Sequence, residues 1–457
     1  MENFVTLLQQ ILFLGAIAIT ASIVWGRVSF IADNIKMGKA LDRTDRKDER
    51  MRNMLLIAFG QRKMFERPLV GIMHLVIYGG FLLINIEVAE ILLDGLFGQH
   101  RLFAGLLGGF YTWIINFFEF LAFGVLSVCV VFLIRRNLLI IPRLFSKDLD
   151  GFPRLDANII LVAEIVLMCM LFTMNAADSI LQTRTADAVW GTYIAEHFKP
   201  VGTFLISQFF IPFYKNLDTG TLLVVERVAW WSHILGIFAF SVYVTYSKHL
   251  HIALAFPNTY FANLEAKGKI NNMDTVTKEV QSMLNVPITV QVPEVEDGQM
   301  GRFGAKDVQD LTWKNLMDAY ACTECGRCTA ACPANITGKK LSPRKIMMDT
   351  RDRMEEIGYN KQNHGENYDD GKSLYGDYIT KEELMACTTC NACVEACPVN
   401  INPLEIIVEL RRYVAMEESA MPASWNSMSA NMENNGAPWA FSSSDRFNWA
   451  EELLAKE

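Results

Sequence analysis

Cysteine is scarce in this chain, and histidine scarcer. Its 457 residues hold 10 cysteines and 7 histidines. Two of the cysteines, Cys129 and Cys169, lie in apolar runs and read as inert packing residues. The others fall in two short runs, which leaves none for a second metal domain or a disulfide scaffold. Charge is also sparse, at 20% of residues with a net −8, and gives no support to nucleic-acid binding. No apolar run shows the Gly- or Pro-broken pair that builds midplane transport sites, so a transporter is disfavoured. A secretory leader is not expected either. The first apolar run, 4–33, is too long for one, follows Glu2 rather than a basic start, and lacks a cleavage site. It reads as an uncleaved span.

What the chain has in quantity is apolar surface. It is 51% hydrophobic with a mean hydropathy of +0.18, too apolar for a soluble protein of this size. Five runs, at 4–33, 69–93, 112–134, 157–180 and 227–250, are each long enough to cross a ~30 Å hydrocarbon core. The loops at 34–67 and 135–156 are basic, the latter through Arg135, Arg136, Arg143, Lys147 and Arg154. The loop at 94–111 has only Arg101. Basic loops stay in the cytoplasm, which predicts an N-terminus outside and everything after residue 252 inside a bacterial inner membrane. The 181–226 segment, apolar from Phe204 to Phe213, reads as a helix lying on the outer surface.

The two cysteine runs carry the strongest signal. They are Cys322, Cys325, Cys328, Cys332 and Cys387, Cys390, Cys393, Cys397, each closed by a proline. Both read C-x2-C-x2-C-x3-C-P, the spacing of a [4Fe–4S] site whose fourth cysteine reaches the neighbouring cluster. The predicted ligand sets are therefore Cys322, Cys325, Cys328 with Cys397, and Cys387, Cys390, Cys393 with Cys332. Zinc prefers paired knuckles, and disulfides need an oxidising compartment. The long separation of the runs fits an all-helical ferredoxin rather than the small two-strand type. The predicted organisation is all-α: a five-span membrane domain over 1–256, a linker over 257–310, a dicluster domain over 311–414 and a tail over 415–457. Trp425, Trp439 and Trp449 favour a partner-docking tail over a disordered one, the competing reading.

Four histidines, His74, His233, His249 and His251, sit in or at the ends of spans. A polar ring in hydrocarbon needs a partner, and axial ligation of haem b is one. His74 and His251 are predicted at similar depth. His233 precedes His251 by five turns of one continuous helix, so the two rings would share a face. The carboxylates Glu87, Glu119 and Glu164 are candidates for proton handling, whereas Glu90 and Asp178 read as helix-end residues.

On these residues, the membrane half resembles the cytochrome b (gamma) subunit of respiratory nitrate reductase. The stretches Ile72-Met73-His74 and Trp230-Trp231-Ser232-His233 through His251 carry the resemblance. In that family a further histidine stands where this chain has Ile84, so the resemblance implies one haem and leaves a second without its ligand. The soluble half resembles the dicluster domain of heterodisulfide reductase-like iron–sulfur proteins. Together these resemblances imply a membrane electron-transfer subunit linking the quinone pool, haem b and two clusters to a cysteine-rich oxidoreductase subunit. A haem-free anchor and a redox sensor are the competing readings.

Overall fold

The computed structural model describes residues 2–290 and 302–455. Its helical content is 70%, with no strand among those residues and only isolated bridges, Lys39 with Thr312 and Tyr375 with Ile379. The expected linker markers Pro293, Gly298 and Gly301 lie outside the described residues.

Five helices are long and apolar enough to cross a membrane: α1 (Glu2–Lys36), α2 (Pro68–Phe97), α3 (Gly109–Asn137), α4 (Phe152–Leu181) and α5 (Thr219–Val244). Proline in the first turn starts α2 and α4, where its missing N–H costs nothing. Asp218 caps α5 by accepting the Thr221 N–H at 3.0 Å. The bundle turns large side chains outward, Trp25, Leu69 and Trp113 among them, and buries polar ones. That inversion suits a lipid surround, which provides no drive to hide leucine. Phe13, Ile84, Phe172, Trp230 and Ile234 belong to its apolar core.

The buried polar groups concentrate at one end of the bundle. Arg101 donates to Asp178 at 2.7 Å and to Asn175 at 2.8 Å, and its backbone N–H reaches Asp94. Asn175 in turn donates to Glu119. Glu119 also accepts from the backbone N–H groups of Ile206 and Ser207, and so ties down the loop before α5. That loop does not form one surface helix as expected. It breaks into short helices, Gly191–His197 and Ile211–Tyr214 among them, because Phe198, Phe204 and Ser207 are drawn inward, where Glu119 and apolar neighbours meet them.

The fifth span also departs from expectation. It ends at Val244, not residue 250, and a 3-10 turn at Lys248–Leu250 separates it from α6 (His251–Tyr260). The cause lies on α4, where buried Asp156 accepts from the Tyr243 and Ser247 hydroxyls at 2.6 Å and from the Lys248 N–H at 3.1 Å. Ser247 then caps the turn. His233 and His251 are therefore on different helices, and the shared-face argument from a continuous helix fails.

At 35 residues α1 is about 52 Å long by its 1.5 Å rise, well beyond the hydrocarbon thickness. Its last turns run into the cysteine-bearing half, where Phe30 and Ile31 join a core with Leu316, Ile346, Ile406 and Leu410. Arg27 pairs with Glu355, and Asn34 donates to Tyr320 at 2.9 Å. Gly358 leaves room for this approach, since a Cβ there would strike Asn34 and Phe30. That half is built on α7 (Trp313–Ala321), α8 (Arg327–Ala331), α9 (Pro343–His364), α10 (Ala392–Ala396) and α11 (Pro403–Met416). The tail follows as α12 (Ala423–Asn435) and short turns, with Trp425 against Arg411 and Trp439 and Trp449 exposed.

Candidate metal centres

The two cysteine runs fold the same way. A capped helix leads into each: Thr312 caps α7, and Thr380 caps the short helix Lys381–Met385, both with reciprocal side-chain bonds. Each loop then has left-handed residues at matching positions, Glu324 and Gly326 in the first (φ 53° and 70°), Thr389 and Asn391 in the second (φ 54° and 61°). These reversals curl the chain so that three thiols face one point. A short helix follows, α8 or α10, and these two pack on each other. The fourth cysteine of each run is thereby carried to the opposite loop.

Cys322, Cys325, Cys328 and Cys397 line one cavity together with Glu324, Arg327 and Arg344. Cys332 lies instead with Cys387, Cys390 and Cys393. All eight thiols are unbridged. Backbone N–H groups point at sulfur in both loops: Glu324 to Cys322 at 3.4 Å, Thr389 to Cys387 at 3.4 Å and Ile401 to Cys397 at 3.3 Å. Burial, reinforced by neighbouring thiols, pushes Cys322 and Cys393 up to about 12. Such sites become thiolates only when a metal cation compensates the charge. Among the described residues no group of three His, Cys, Asp or Glu is set to hold a single ion. Four thiols brought together from two loops are the donor set of a four-iron cubane.

Gly326 is required at its place. Its φ is left-handed, and an added Cβ would stand 2.5 Å from the Arg344 guanidinium. Gly326→Ala is expected to destabilise the first loop by about 1–2 kcal/mol from the backbone alone. The measurement is iron content after mild heating. Asn391→Ala, at the matching position of the second loop, should cost less, because that site already holds a side chain.

The histidines divide. His74, on α2, lies near His251 and Arg327, and His249 lies near both His251 and His74. The His249 and His251 rings are 5.6 Å apart. His251 Nδ1 is 3.0 Å from the Lys248 carbonyl, which orients the ring and leaves Nε2 outside that bond. His74 Nδ1 is buried with no hydrogen-bond partner. His74, His249 and His251 thus gather at the cluster-facing end of the bundle. His233 is apart from them, buried with Nδ1 2.9 Å from the Leu167 carbonyl. Ile84 shares its core and offers no ligand.

The carboxylates also sort by partner. Glu119 is held by Asn175 and the Ser207 region, Glu90 by Tyr111 and the Phe103 N–H, and Asp178 by Arg101. Those three are each held by hydrogen bonds. Glu164 is half-buried, and Glu87 is buried with neither oxygen bonded. Composition could not reveal the cations around the first quartet. Lys63 and Arg143 come from loops far away in sequence, and their only signal was a positive count.

Comparison with known proteins agrees with this geometry. The 4Fe-4S dicluster domain family matches residues 321–401. Along 450 residues the chain is 27% identical to the probable iron-sulfur-binding oxidoreductase FadF of Bacillus subtilis, covering 92% of this chain and 57% of that protein. Over 446 residues it is 26% identical to the EtfAB:quinone oxidoreductase of Syntrophomonas wolfei, covering 91% and 56% respectively. Over 97 residues, 21% of this chain and 46% of the other, it is 30% identical to one subunit of the ferredoxin:CoB-CoM heterodisulfide reductase of Methanosarcina mazei. No solved structure matches. The chain spans a little over half the length of its two long relatives. It is an iron–sulfur protein with five potential membrane helices, similar along most of its length to iron–sulfur oxidoreductases.

Proposed function

We propose that this chain is a membrane-integral electron-transfer protein linking the quinone pool, one haem b and two [4Fe–4S] clusters to an oxidoreductase partner. The observation that carries this reading is the crossed grouping of the eight cysteines beside the His74–His251 end of the bundle. Cys322, Cys325, Cys328 and Cys397 hold one cluster. Cys387, Cys390, Cys393 and Cys332 hold the other. His74 and His251 hold the haem, which when bound supplies a one-electron carrier between lipid and clusters. His249 packs beside that pair, and His233 stays a core residue bonded to α4.

Further features support the arrangement. Both basic loops touch the cysteine-bearing half, Lys63 through the Cys397 carbonyl and Arg143 through the Cys325 carbonyl. Basic loops and clusters thus share one side of the bundle, the cytoplasmic side of a bacterial inner membrane by the charge rule, with the N-terminus opposite. A relative that is named as a quinone oxidoreductase supports quinone as the membrane-phase carrier. The proposed divisions are 1–256 for the membrane domain, 257–310 for the connection, 311–414 for the cluster domain and 415–457 for a docking tail. The exposed Trp439 and Trp449 are consistent with that last role.

The test is a visible spectrum of the detergent-purified chain before and after dithionite, with haem and iron quantified. A b-type α-band with about eight non-haem irons per chain is the expected result. The same iron without an α-band would reduce the bundle to an anchor, and iron well below eight would remove the dicluster reading.

A further inference from the structure

The two cysteine quartets sit in different electrostatic surroundings. Around the first, Lys63 donates to the Glu395 and Cys397 carbonyls at 3.2 and 3.1 Å. Arg143 donates to the Cys325 carbonyl at 3.2 Å, and Arg327 to the Lys63 carbonyl at 3.0 Å. These three cations spend their hydrogen bonds on backbone carbonyls and, for Arg327, the Met64 sulfur, and not on carboxylates. Arg67 and Arg135 stand close to Arg143 and Arg327, adding like charge. Other cations nearby are already matched: Arg344 by Asp148, and Lys248 and Arg351 by Glu324. Three clustered cations bonded to no carboxylate need an anion, and an iron–sulfur cluster with four thiolates is one.

The second quartet has one comparable cation. Arg411 donates to the Leu384 and Cys387 carbonyls, the latter at 2.6 Å, and lies over the Trp425 ring. Lys340 and Lys345 are matched by Glu382, Asp349 and Glu383. Cys390 is exposed, so solvent screens whatever charge lies there.

Two effects compete over reduction potential. Burial of the first quartet disfavours the added electron, whereas nearby cations favour it. The same low dielectric that imposes the burial cost also strengthens each cation's field. With three unmatched cations against one, the cations decide.

We propose that Lys63, Arg143 and Arg327 hold the cluster of Cys322, Cys325, Cys328 and Cys397 at the higher reduction potential of the two. The proposal rests on the crossed ligation above. A single electron entering the domain therefore settles beside the membrane. To reach the oxidoreductase partner it climbs to the cluster at the exposed Cys390. That climb moves one electron: the first cubane is oxidised by one as the second is reduced by one, with no bond made and no proton taken. The basic loops thus do more than fix orientation, since they set the resting place of the electron.

The experiment is a redox titration followed by electron paramagnetic resonance on the full chain in detergent. Cys328→Ser and Cys393→Ser variants assign each signal to its cluster. In the wild type the first cluster should show the higher midpoint. In the Lys63→Gln/Arg143→Gln double variant that midpoint should fall by at least a factor of ten in the reduction equilibrium, about 59 mV for one electron. The second cluster should move by less than a third of that. The charge-keeping Lys63→Arg/Arg143→Lys variant should stay near wild type. If the double variant loses iron, each single Gln variant is titrated and should give about half the shift. An unmoved first midpoint, equal shifts in both clusters, or a wild type with the first cluster lower would overturn the proposal. If the two cysteine variants fail to remove separate signals, it is the underlying division into two clusters that fails instead.

Discussion

Cys328→Ser is expected to lower non-haem iron from about eight to about four per chain while leaving the haem spectrum in place. Cys328 opens into the cavity it shares with Cys322, Cys325 and Cys397. A serine there offers a harder, less acidic oxygen, and the remaining three sulfurs cannot close the cubane's fourth corner. The second quartet keeps all its ligands, because Cys328 does not belong to the group of Cys387, Cys390, Cys393 and Cys332. Cys397→Ser is the sharper form of the test. By sequence proximity it would damage the second cluster, whereas the structure's grouping makes it damage the first. The measurement is iron and acid-labile sulfide per chain, with paramagnetic resonance showing which signal is lost. Loss of the second signal in Cys397→Ser would replace crossed ligation with a local one. Loss of haem with iron unchanged would sever the proposed division between bundle and cluster domain.

The cysteine grouping was legible in the sequence because it is local. The spacing within each run dictates three thiols on a curl and a fourth one turn on, and the matched φ values of Glu324, Gly326, Thr389 and Asn391 show that curl twice. The five spans were legible because length and hydropathy suffice for a helix in lipid. The misses were all set by partners far along the chain. Tyr243 and Ser247 carry little hydropathic signal, so the run appeared to continue to residue 250. The helix ends earlier because Asp156, some 90 residues away, gathers their hydroxyls. The partners of Glu119 were likewise invisible, Ile206 and Ser207 being 87 and 88 residues on. The basic loops misled in another way. The topology rule already accounted for Lys63 and Arg143, so nothing in the sequence called for a second role beside the cysteines.

His251→Ala is expected to abolish the low-spin haem b spectrum, and His74→Ala to do the same, while His249→Ala and His233→Ala leave it. The distinction follows from how each ring is held. His251 opens α6, just after the turn that Asp156 and Ser247 impose, and the Lys248 carbonyl engages its Nδ1 at 3.0 Å. A ring fixed through one nitrogen presents the other in a set direction, as an axial ligand requires. His74 comes from α2 and is buried beside it with Nδ1 unbonded. A buried imidazole nitrogen without a partner is costly unless something else in the site engages it. His249 sits edge-on to His251 and also near Phe240, a packing position. His233 is tied to Leu167 deep in the core, so its removal should cost stability, by about 1–3 kcal/mol for the orphaned carbonyl, and not the haem. The readout is the reduced-minus-oxidised α-band per chain, with iron content as the folding control. Loss of the band in His249→Ala and its survival in His251→Ala would exchange their roles. Loss in His233→Ala with iron intact would place the haem deeper in the bundle, on a ligand whose expected partner position is held by Ile84.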